Sequence, residues 1–419
     1  MKVLHINLSD CVGGACIAMN RIHQGLVQRG VDSHLLVRNV SSPEAGKQDE
    51  VHLLATGWGD LANRAKCRMA NRIGELQKDP ETFFYSINLF PNQLLSKIDQ
   101  IKPDIVNLHW VGAEILRIED LARIGPPVVW TLMDMWPFCG AEHYDFRSRW
   151  KQGYSPESRS SKATGFDVNR WVFKRKQKAW KSVQLTTVSP SVWIRDCVKS
   201  SSLWGNKAGC NHLVIPFGLD TSLFFPREKK ACRTELALEG DGPLLLFGAT
   251  SVTSRIKGMS WLLEALRILS KEHIRFRLAV FGRGEIPQDE FPDGVEVKHL
   301  GKISDPITMA KLYSAADLML MPSRMESFGQ TASEAQACGV PVVSFDTSGV
   351  KDIVVHQETG YRAECFNVND FAHGIGWCLE DDNRRQHMST LASERACRKF
   401  DFRNVAQQYH ELYLRVLNQ

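Results

Sequence analysis

Two carboxylates, Glu326 and Glu334, flank the start of a predicted helix in the second half of the chain. An apolar run ends near Met321, a glycine-containing turn follows, and the helix is expected to stop at Gly339. Carboxylates placed in this way could accept hydrogen bonds from sugar and ribose hydroxyls, while the helix N-terminus binds a diphosphate. Equally, Glu334 could be a first-turn acid that stabilises the helix dipole, and Glu326 a capping residue. The N–H groups expected to face a diphosphate are those of Phe328, Gly329, Gln330 and Thr331.

A pair of cations, Arg255 and Lys257, lies at another predicted junction between a strand and a helix. The apolar run 244–250 predicts the strand, and apolar residues that recur over 261–269 after Gly258 predict the helix. Cations at such a junction could neutralise a pyrophosphate and stabilise it as it leaves. A solvated loop with ordinary surface charge is the alternative interpretation.

The loop after the first predicted strand contains Gly13 and Gly14 and leads directly into a helix. Glycine lets a ligand approach the backbone, and a helix N-terminus attracts anions, so this loop could bind a diphosphate. The segment nevertheless lacks the GxGxxG dinucleotide fingerprint, which disfavours a nicotinamide-dependent enzyme. The same glycines could also be simple turn residues.

Short apolar runs alternate with helical patterns along the chain, which predicts parallel sheets covered on both faces and therefore an α/β fold. The runs are 3–8, 105–109, 128–132, 244–247, 278–281, 318–321 and 340–345. A chain of 419 residues is too long for one ordinary core. Proline and glycine interrupt regular structure between the halves, so we expect a first domain over 1–213, a second over 214–402 and a last helix over 403–419.

Composition argues against several classes of protein. Hydrophobic residues make up 43% of the chain and charged residues 24%, as in ordinary globular proteins. No stretch approaches the roughly 18 to 20 apolar residues that cross a bilayer, and the first apolar run is too short for a secretion signal. Eleven cysteines without CxxC pairs argue against a zinc site and a disulfide scaffold. We therefore expect a cytoplasmic protein.

Taken together, these segments resemble the retaining GT-B glycosyltransferases, in particular the large family 4. Glu326 and Glu334 match the two acids of the E-x7-E segment of that family. The other matching segments are the Gly13-Gly14 loop, IPFGLD at 215–220, the Lys257-Gly258 turn, VFGRGE at 280–285 and GVPVVSFDTSG at 339–349. The resemblance implies GT-B architecture: two Rossmann-like domains with parallel sheets that face each other across a cleft. The N-terminal domain would bind the acceptor and the C-terminal domain a nucleoside diphosphate sugar, and the last helix would cross back to the first domain.

The resemblance also implies roles for individual residues. Lys257 and a nearby arginine, here Arg255, would hold the diphosphate, Glu326 would contact the transferred sugar, and Glu334 would bind the ribose. Backbone groups near Gly282 would contribute to recognition of the base. No metal or other cofactor is expected, because the cations and the helix N-terminus would stabilise the diphosphate. In this family the phosphate of the donor is thought to help deprotonate the acceptor hydroxyl.

The segment VVWTLMDMWPFCGAEHYD, 128–145, resembles glycosyltransferases of colanic-acid, exopolysaccharide and O-antigen synthesis. Many of those relatives carry a donor-facing histidine where this chain has Met133, and a thioether neither transfers protons nor donates hydrogen bonds. The nearby candidates for the missing group are Asp134, His143 and His109, and we favour Asp134 acting with His143. Each histidine could instead be a packed structural residue.

Basic residues are concentrated in 147–181, where eleven lysines and arginines oppose two acids and give a local charge of +9. Within it, 169–181 interleaves Trp171, Phe173 and Trp180 with cations, a composition typical of a peripheral helix on anionic lipid. An ordinary solvated helix with inward-packed aromatics is an equal alternative. Nothing resembles a nucleic-acid-binding module.

These observations predict an enzyme that transfers a hexosyl group from a nucleoside diphosphate sugar with retention. The expected acceptor is a glycan or a polyprenyl-diphosphate-linked oligosaccharide in surface polysaccharide synthesis, met in the cytoplasm or at the inner face of the cytoplasmic membrane. Two alternatives stay open: a nucleotide-sugar epimerase of GT-B fold, and a non-catalytic protein that binds nucleotide sugars.

Overall fold

Buried apolar runs form the centres of two separate parallel sheets. The computed structural model describes residues 1–10, 13–40, 49–82, 84–205 and 207–418. The chain divides into unit 1, Met1–Pro216 together with Val405–Gln419, and unit 2, Phe217–Asn404.

Unit 1 is built around a seven-stranded sheet with the order β3-β2-β1-β5-β6-β8-β9, in which all neighbouring strands are parallel. The strands are β1 Lys2–Ser9, β2 Asp32–Asn39, β3 Val51–Leu53, β4 Gln77–Lys78, β5 Ile105–Leu108, β6 Val128–Thr131, β7 Thr164–Gly165, β8 Thr186–Ser189 and β9 Asn211–Val214. The helices are α1 Gly14–Gln28, α2 Trp58–Gly74, α3 Leu94–Ile101, α4 Val168–Ala179 and α5 Val192–Lys199. β4 and β7 form a separate antiparallel pair.

Unit 2 contains a six-stranded parallel sheet with the order β12-β11-β10-β13-β14-β15. Its strands are β10 Leu244–Ser251, β11 Arg277–Arg283, β12 Glu296–Gly301, β13 Leu318–Met321, β14 Val342–Phe345 and β15 Gly360–Ala363. The helices are α6 Lys229–Glu235, α7 Met259–Lys271, α8 Pro306–Ala315, α9 Gln330–Ala337, α10 Val368–Glu380 and α11 Asp382–Phe400. The central strands are apolar on both faces because helices cover both sides of a parallel sheet.

The last helix, α12 Phe402–Leu417, leaves unit 2 and packs into the core of unit 1. Tyr409 and Tyr413 are fully buried there. The Asn107 side chain donates to the Tyr413 hydroxyl at 2.6 Å, and the Thr131 and Tyr409 hydroxyls lie 3.1 Å apart. The hydroxyls at the centre of this packing are therefore satisfied by polar side chains of β5 and β6.

Helix α4 carries the basic and aromatic residues that suggested membrane contact, but its aromatic side chains largely pack inward. Phe173 and Trp180 are fully buried, and the Trp180 indole donates to the carbonyl of Ile118 at 2.6 Å. Arg149 pairs with Asp167 at 2.8 Å. Two of the three aromatic residues in 169–181 are therefore core residues, which favours the inward-packed alternative. Among the described residues, no helix is both long and apolar enough to cross a bilayer.

Candidate functional site

The predicted cation and carboxylate of unit 2 meet in an ion pair. Lys257 Nζ donates to Glu326 Oε1 at 2.6 Å, although the two residues are far apart in the sequence. The Lys257 side chain is 30% exposed and that of Glu326 is 10% exposed. Because the lysine is partly open to solvent, the pair can exchange partners with a charged ligand.

A close backbone approach fixes the turn that carries Lys257. Residues Arg255–Lys257 form a short 3-10 turn, and Gly258 then begins helix α7 at a φ of +75°. A Cβ at Gly258 would lie 1.9 Å from the carbonyl oxygen of Pro322, so only glycine fits. The N–H of Arg324 also donates to the carbonyl of Ile256 at 2.7 Å. The turn is thus tied to the segment that follows β13.

Glu326 is held through its backbone by the segment after β14. Its N–H donates to the Ser348 hydroxyl at 2.9 Å, and its carbonyl accepts from the N–H of Gly349 at 2.8 Å. A Cβ at Gly349 would lie 2.3 Å from the carbonyl oxygen of Ser327, so the approach again requires glycine. The backbone of Glu326 is therefore fixed, while its carboxylate pairs with Lys257, and the N-cap residue of α9 is Gly329.

Helix α9 begins after Gly329, whose φ is +107°. Gln330 and Thr331 are the first two residues of α9, so their backbone N–H groups lie at the positive end of the helix dipole, where a diphosphate could bind. Phe328 is buried, with its ring 5.4 Å from that of Phe400. The side chain anchors the turn in the core, which leaves only its backbone for a ligand.

Glu334 lies one turn into α9, as the sequence predicts, and is almost completely buried. The Tyr313 hydroxyl donates to Glu334 Oε2 at 3.2 Å. A buried carboxylate that already accepts one hydrogen bond can accept others from the hydroxyls of a ribose.

The other predicted glycines lie near the end of a strand in unit 2 and at the start of a helix in unit 1. Gly282 lies near the end of β11 with a φ of +129°, and a Cβ there would lie 1.9 Å from the carbonyl oxygen of Ala249. Gly13 precedes α1 with a φ of +90°, and Gly14 is the first residue of that helix. Nothing lies within 4 Å of a Cβ built at Gly13, so its need for glycine is conformational.

In unit 1, Asp134 and His143 form the pair that the sequence favours. His143 Nδ1 lies 2.5 Å from Asp134 Oδ2, which also accepts from the indole of Trp110 at 2.7 Å. Asp134 Oδ1 accepts from the N–H of Trp136 at 2.9 Å. His143 Nε2 lies 2.8 Å from the Ser86 hydroxyl. Each ring nitrogen of His143 therefore has a polar neighbour within hydrogen-bond distance.

Aromatic rings surround this pair and connect it with the surface. The Trp110 ring stacks on His143 at 5.0 Å between centroids, and the Phe84 ring lies 5.2 Å from it. Phe84 is 42% exposed, whereas His143 is nearly buried. Met133, in place of the histidine of relatives, is also nearly buried at the end of β6. The exposed part of this cluster is therefore aromatic.

His109 is placed in the core of unit 1. It has almost no exposed surface, and its Nε2 lies 2.9 Å from Nδ1 of His5. Burial lowers the pKa of His109 to about 3, and burial together with His109 lowers the pKa of His5 well below its usual value. These observations favour the structural interpretation of His109 over contact with a donor.

A second buried cluster contains three residue types that could ligate a metal, Cys139, Glu142 and Asp145. The Tyr154 hydroxyl donates to Glu142, and Asp145 accepts from backbone N–H groups of the next turn. The Lys176 ammonium donates to the carbonyl of Cys139 at 3.1 Å. Burial raises the pKa of the Cys139 thiol well above its usual value, so it stays protonated. These contacts describe an internal hydrogen-bonded cluster and not the donor set of a cation site.

Sequence reasoning missed the supporting residues of both sites. Trp110 follows β5, and carboxyl ends of neighbouring parallel strands meet, so its proximity to Asp134 could have been inferred. Ser86 gives no sequence signal because it lies in an irregular segment distant along the chain from His143. Ser348 lies in the matching segment 339–349 and begins a short 3-10 turn, but its contact with Glu326 was not predicted. The pairing of Lys257 with Glu326 was also not predicted, although both residues were.

Comparisons with known proteins identify relatives in sequence and in fold. Residues 242–381 match a family model described as Glycosyl transferases group 1, and this range contains Lys257, Glu326 and Glu334. A D-inositol 3-phosphate glycosyltransferase of Xylanimonas cellulosilytica is 30% identical over 215 residues, covering 48% of this chain and 50% of the relative. An uncharacterised glycosyltransferase of Methanocaldococcus jannaschii is 27% identical over 56% of this chain and 60% of its own length. The chain thus spans about half the length of the first of these curated relatives.

Solved structures resemble the chain over its whole length. A sucrose-phosphate synthase from Thermosynechococcus elongatus has a TM-score of 0.72 at 18% identity and covers 100% of this chain and 99% of its own. Anabaena HepE in complex with UDP and glucose has a TM-score of 0.66 at 18% identity, covering 98% and 99%. At such identities the likeness concerns the fold, and it confirms the predicted α/β class.

Proposed function

We propose that this chain, which has the GT-B fold and carries a Glycosyl transferases group 1 domain in residues 242–381, is a retaining hexosyltransferase. Its donor is a nucleoside diphosphate sugar, and its acceptor a glycan or polyprenyl-diphosphate-linked oligosaccharide of surface polysaccharide synthesis. The observation that carries the proposal is the partly exposed Lys257–Glu326 pair beside the N-terminus of α9.

In the proposed reaction, the bond between the anomeric carbon and the diphosphate oxygen breaks while the acceptor oxygen bonds to the same face of that carbon. The acceptor proton passes to an oxygen of the leaving diphosphate. Lys257, Arg255 and the N-terminus of α9 stabilise the negative charge that develops on that group. They take the place that a divalent metal occupies in other phosphate sites, so the proposal requires no metal.

Glu326 and Glu334 have different tasks in this proposal. As the sugar diphosphate enters, its charge attracts Lys257, and the carboxylate of Glu326 becomes available to the hydroxyls of the hexose. Glu334 accepts hydrogen bonds from the ribose hydroxyls, while the Tyr313 hydroxyl donates to its Oε2 atom. Because Glu326 is fixed through its backbone, the hexose is oriented with little loss of conformational freedom.

A donor screen tests the nucleotide. One solved neighbour, Anabaena HepE, is in complex with UDP-glucose, and another, a starch synthase, is bound to ADP. The screen therefore includes UDP and ADP as well as GDP. A nucleotide that binds the folded chain and not the unfolded chain raises its melting temperature, and the rise grows with the logarithm of the nucleotide concentration above Kd. If UDP, GDP and ADP all leave the melting temperature unchanged at millimolar concentration, the proposal is wrong.

Product analysis separates transfer from the two alternatives. With a labelled donor, transfer gives a glycosylated acceptor whose anomeric configuration, measured by NMR, matches that of the donor. An epimerase gives a free nucleotide sugar of changed configuration. A non-catalytic binding protein, which Met133 in place of histidine raises as an alternative, binds donor without releasing nucleotide in the presence or absence of acceptor.

A further inference from the structure

Helix α2 exposes its apolar side chains to solvent. Trp58 is 85% exposed, Leu61 is 55% exposed and Met69 is 47% exposed. Ala62 and Ala65 are exposed as well. Positions 58, 61, 62, 65 and 69 recur at the spacing of one helical face, so together they form a continuous apolar stripe along α2.

The opposite face of α2 packs on unit 1 through small and polar residues. The buried residues of the helix are Asn63, Ala70 and Gly74. A Cβ at Gly74 would lie 3.1 Å from the Cβ of Tyr85, so the end of the helix approaches unit 1 closely. The amphipathic pattern is therefore inverted, because a helix that rests on a core usually buries its apolar side.

Cations flank the apolar stripe. The helix carries Arg64, Lys66, Arg68 and Arg72 against the single acid Asp60, a net charge of +3. Arg64 pairs with Asp60 at 2.8 Å, and Lys66 donates to a backbone carbonyl. Arg68 is exposed at the edge of the stripe, and Arg72 is exposed on the same face, about one turn beyond Met69.

We propose that α2 docks on a surface of anionic lipid. Trp58, Leu61 and Met69 would enter the boundary between headgroups and acyl chains, while Arg68 and Arg72 contact headgroup phosphates. An amphipathic helix with an apolar face and flanking cations lies in this interface, and each cation near such a surface contributes about 1 kcal/mol.

A second copy of this chain fits the stripe less well. A stable dimer buries about 800 Å² on each partner, so such a contact would include the flanking cations as well as the apolar stripe. Self-association about a two-fold axis would place the net positive charge of α2 against that of its copy. Anionic lipid neutralises the same charge.

Vesicle sedimentation of the full chain tests this proposal without donor or acceptor, so its outcome does not depend on the transferase activity. The chain is expected to sediment with vesicles of phosphatidylcholine and phosphatidylglycerol, less with phosphatidylcholine alone, and less again at high salt. The double variant Trp58→Ser, Leu61→Ser should lose binding to both kinds of vesicle. The double variant Arg68→Gln, Arg72→Gln should lose about 10- to 30-fold in affinity for anionic vesicles only.

Matched controls test whether vesicle binding depends on this face of α2 or on any exposed apolar or basic side chain. Ile307→Ser removes an apolar side chain in unit 2 that is 52% exposed, and it should leave binding unchanged. Lys174→Gln with Lys178→Gln removes exposed cations of α4 and should also have no effect. Equal binding by all variants, or no binding by the unmodified chain, would overturn the proposal. A dimer in light scattering that Trp58→Ser dissolves would instead identify the stripe as a contact between copies.

Discussion

The acid–base pairs of the two units join similar groups in different surroundings. In unit 2, Lys257 contacts Glu326 from a partly exposed turn. In unit 1, both oxygens of Asp134 accept hydrogen bonds, and both ring nitrogens of His143 have polar neighbours. In a pair that is open to solvent, one member can leave the other and bind a ligand. Breaking a buried pair whose atoms are all hydrogen-bonded instead lowers the stability of the protein. We therefore propose that the pair of unit 2 responds to charge on a ligand and that the pair of unit 1 holds the aromatic residues around it in place.

The largest expected effect is a loss of turnover when the ion pair of unit 2 is removed. Glu326→Gln removes the carboxylate but keeps the shape of the side chain and the backbone contacts. We expect kcat to fall by about 10²- to 10³-fold, as for other groups that act on the transition state, with nucleotide affinity nearly unchanged. Steady-state kinetics with nucleotide titration measures this. Glu380→Gln, at a side chain that is 76% exposed, is the control, and near-full activity of Glu326→Gln would contradict the assignment.

The next prediction concerns stability in unit 1. Asp134→Ala removes the acceptor of the histidine and the indole, and breaking such a buried pair costs about 3 kcal/mol in free energy of unfolding. Urea denaturation measures the change, and Asp99→Ala on an exposed face of α3 should stay within about 0.5 kcal/mol of the unmodified chain. If Asp134→Ala abolishes turnover but unfolds at the same urea concentration as the unmodified chain, the pair of unit 1 is catalytic and its proposed structural role is wrong.

A smaller effect is expected at the turn that presents Lys257. Gly258→Ala places a Cβ against the carbonyl of Pro322 at a positive φ, which costs about 1 to 3 kcal/mol. The displaced lysine should also raise the KM for the donor more than it lowers kcat. Gly294→Ala is a matched control, since its φ of +78° is similar but nothing lies within 4 Å of its Cβ. Equal loss of stability in the two variants would show that the contact with Pro322 is unimportant.

Compared over a single pH unit, the smallest effect is the dependence of stability on the protonation of one buried histidine. His5 and His109 have folded pKa values below their unfolded values, so the unfolded chain binds more protons below about pH 6.5. The contribution of both histidines is complete above that pH and is lost as the pH falls. For His109 the loss continues toward about pH 3, at about 1.4 kcal/mol per pH unit. The melting temperature of His109→Gln should therefore fall less steeply with acid. His273→Gln, at an exposed histidine, should follow the unmodified chain, and parallel curves for all three would refute the linkage.

Much of the fold could be predicted because central strands of parallel sheets are apolar on both faces. Predicted runs such as 244–247 and 318–321 coincide with β10 and β13. β8, Thr186–Ser189, was missed because its residues are mostly polar, although all four are buried. The edge strand β12 was missed because its residues are only partly buried. Tertiary contacts, which local sequence does not record, define both strands: β8 is buried by its neighbours, and β12 is paired with β11.

The sequence predicted which residues belong to the candidate sites, but it did not predict which of them contact each other. Glu326, Glu334 and Lys257 follow from local patterns, whereas the ion pair depends on how β10 and β13 lie side by side. The two basic helices show the same limit. The α4 segment has the composition of a lipid-binding helix, but Phe173 and Trp180 are buried. For α2 the sequence predicted no lipid contact, yet Trp58 is exposed. Composition alone does not reveal which face a helix buries.

Helix α12 has a consequence for the order in which the chain can be completed on the ribosome. Unit 1 contains residues from both ends of the sequence, and Tyr409 and Tyr413 fill its core. During synthesis the sheet of unit 1 emerges first, yet its core stays open until all of unit 2 has been translated and α12 has left the exit tunnel. A nascent chain halted after residue 404 would present an uncovered apolar surface on unit 1 to chaperones, even with unit 2 already folded.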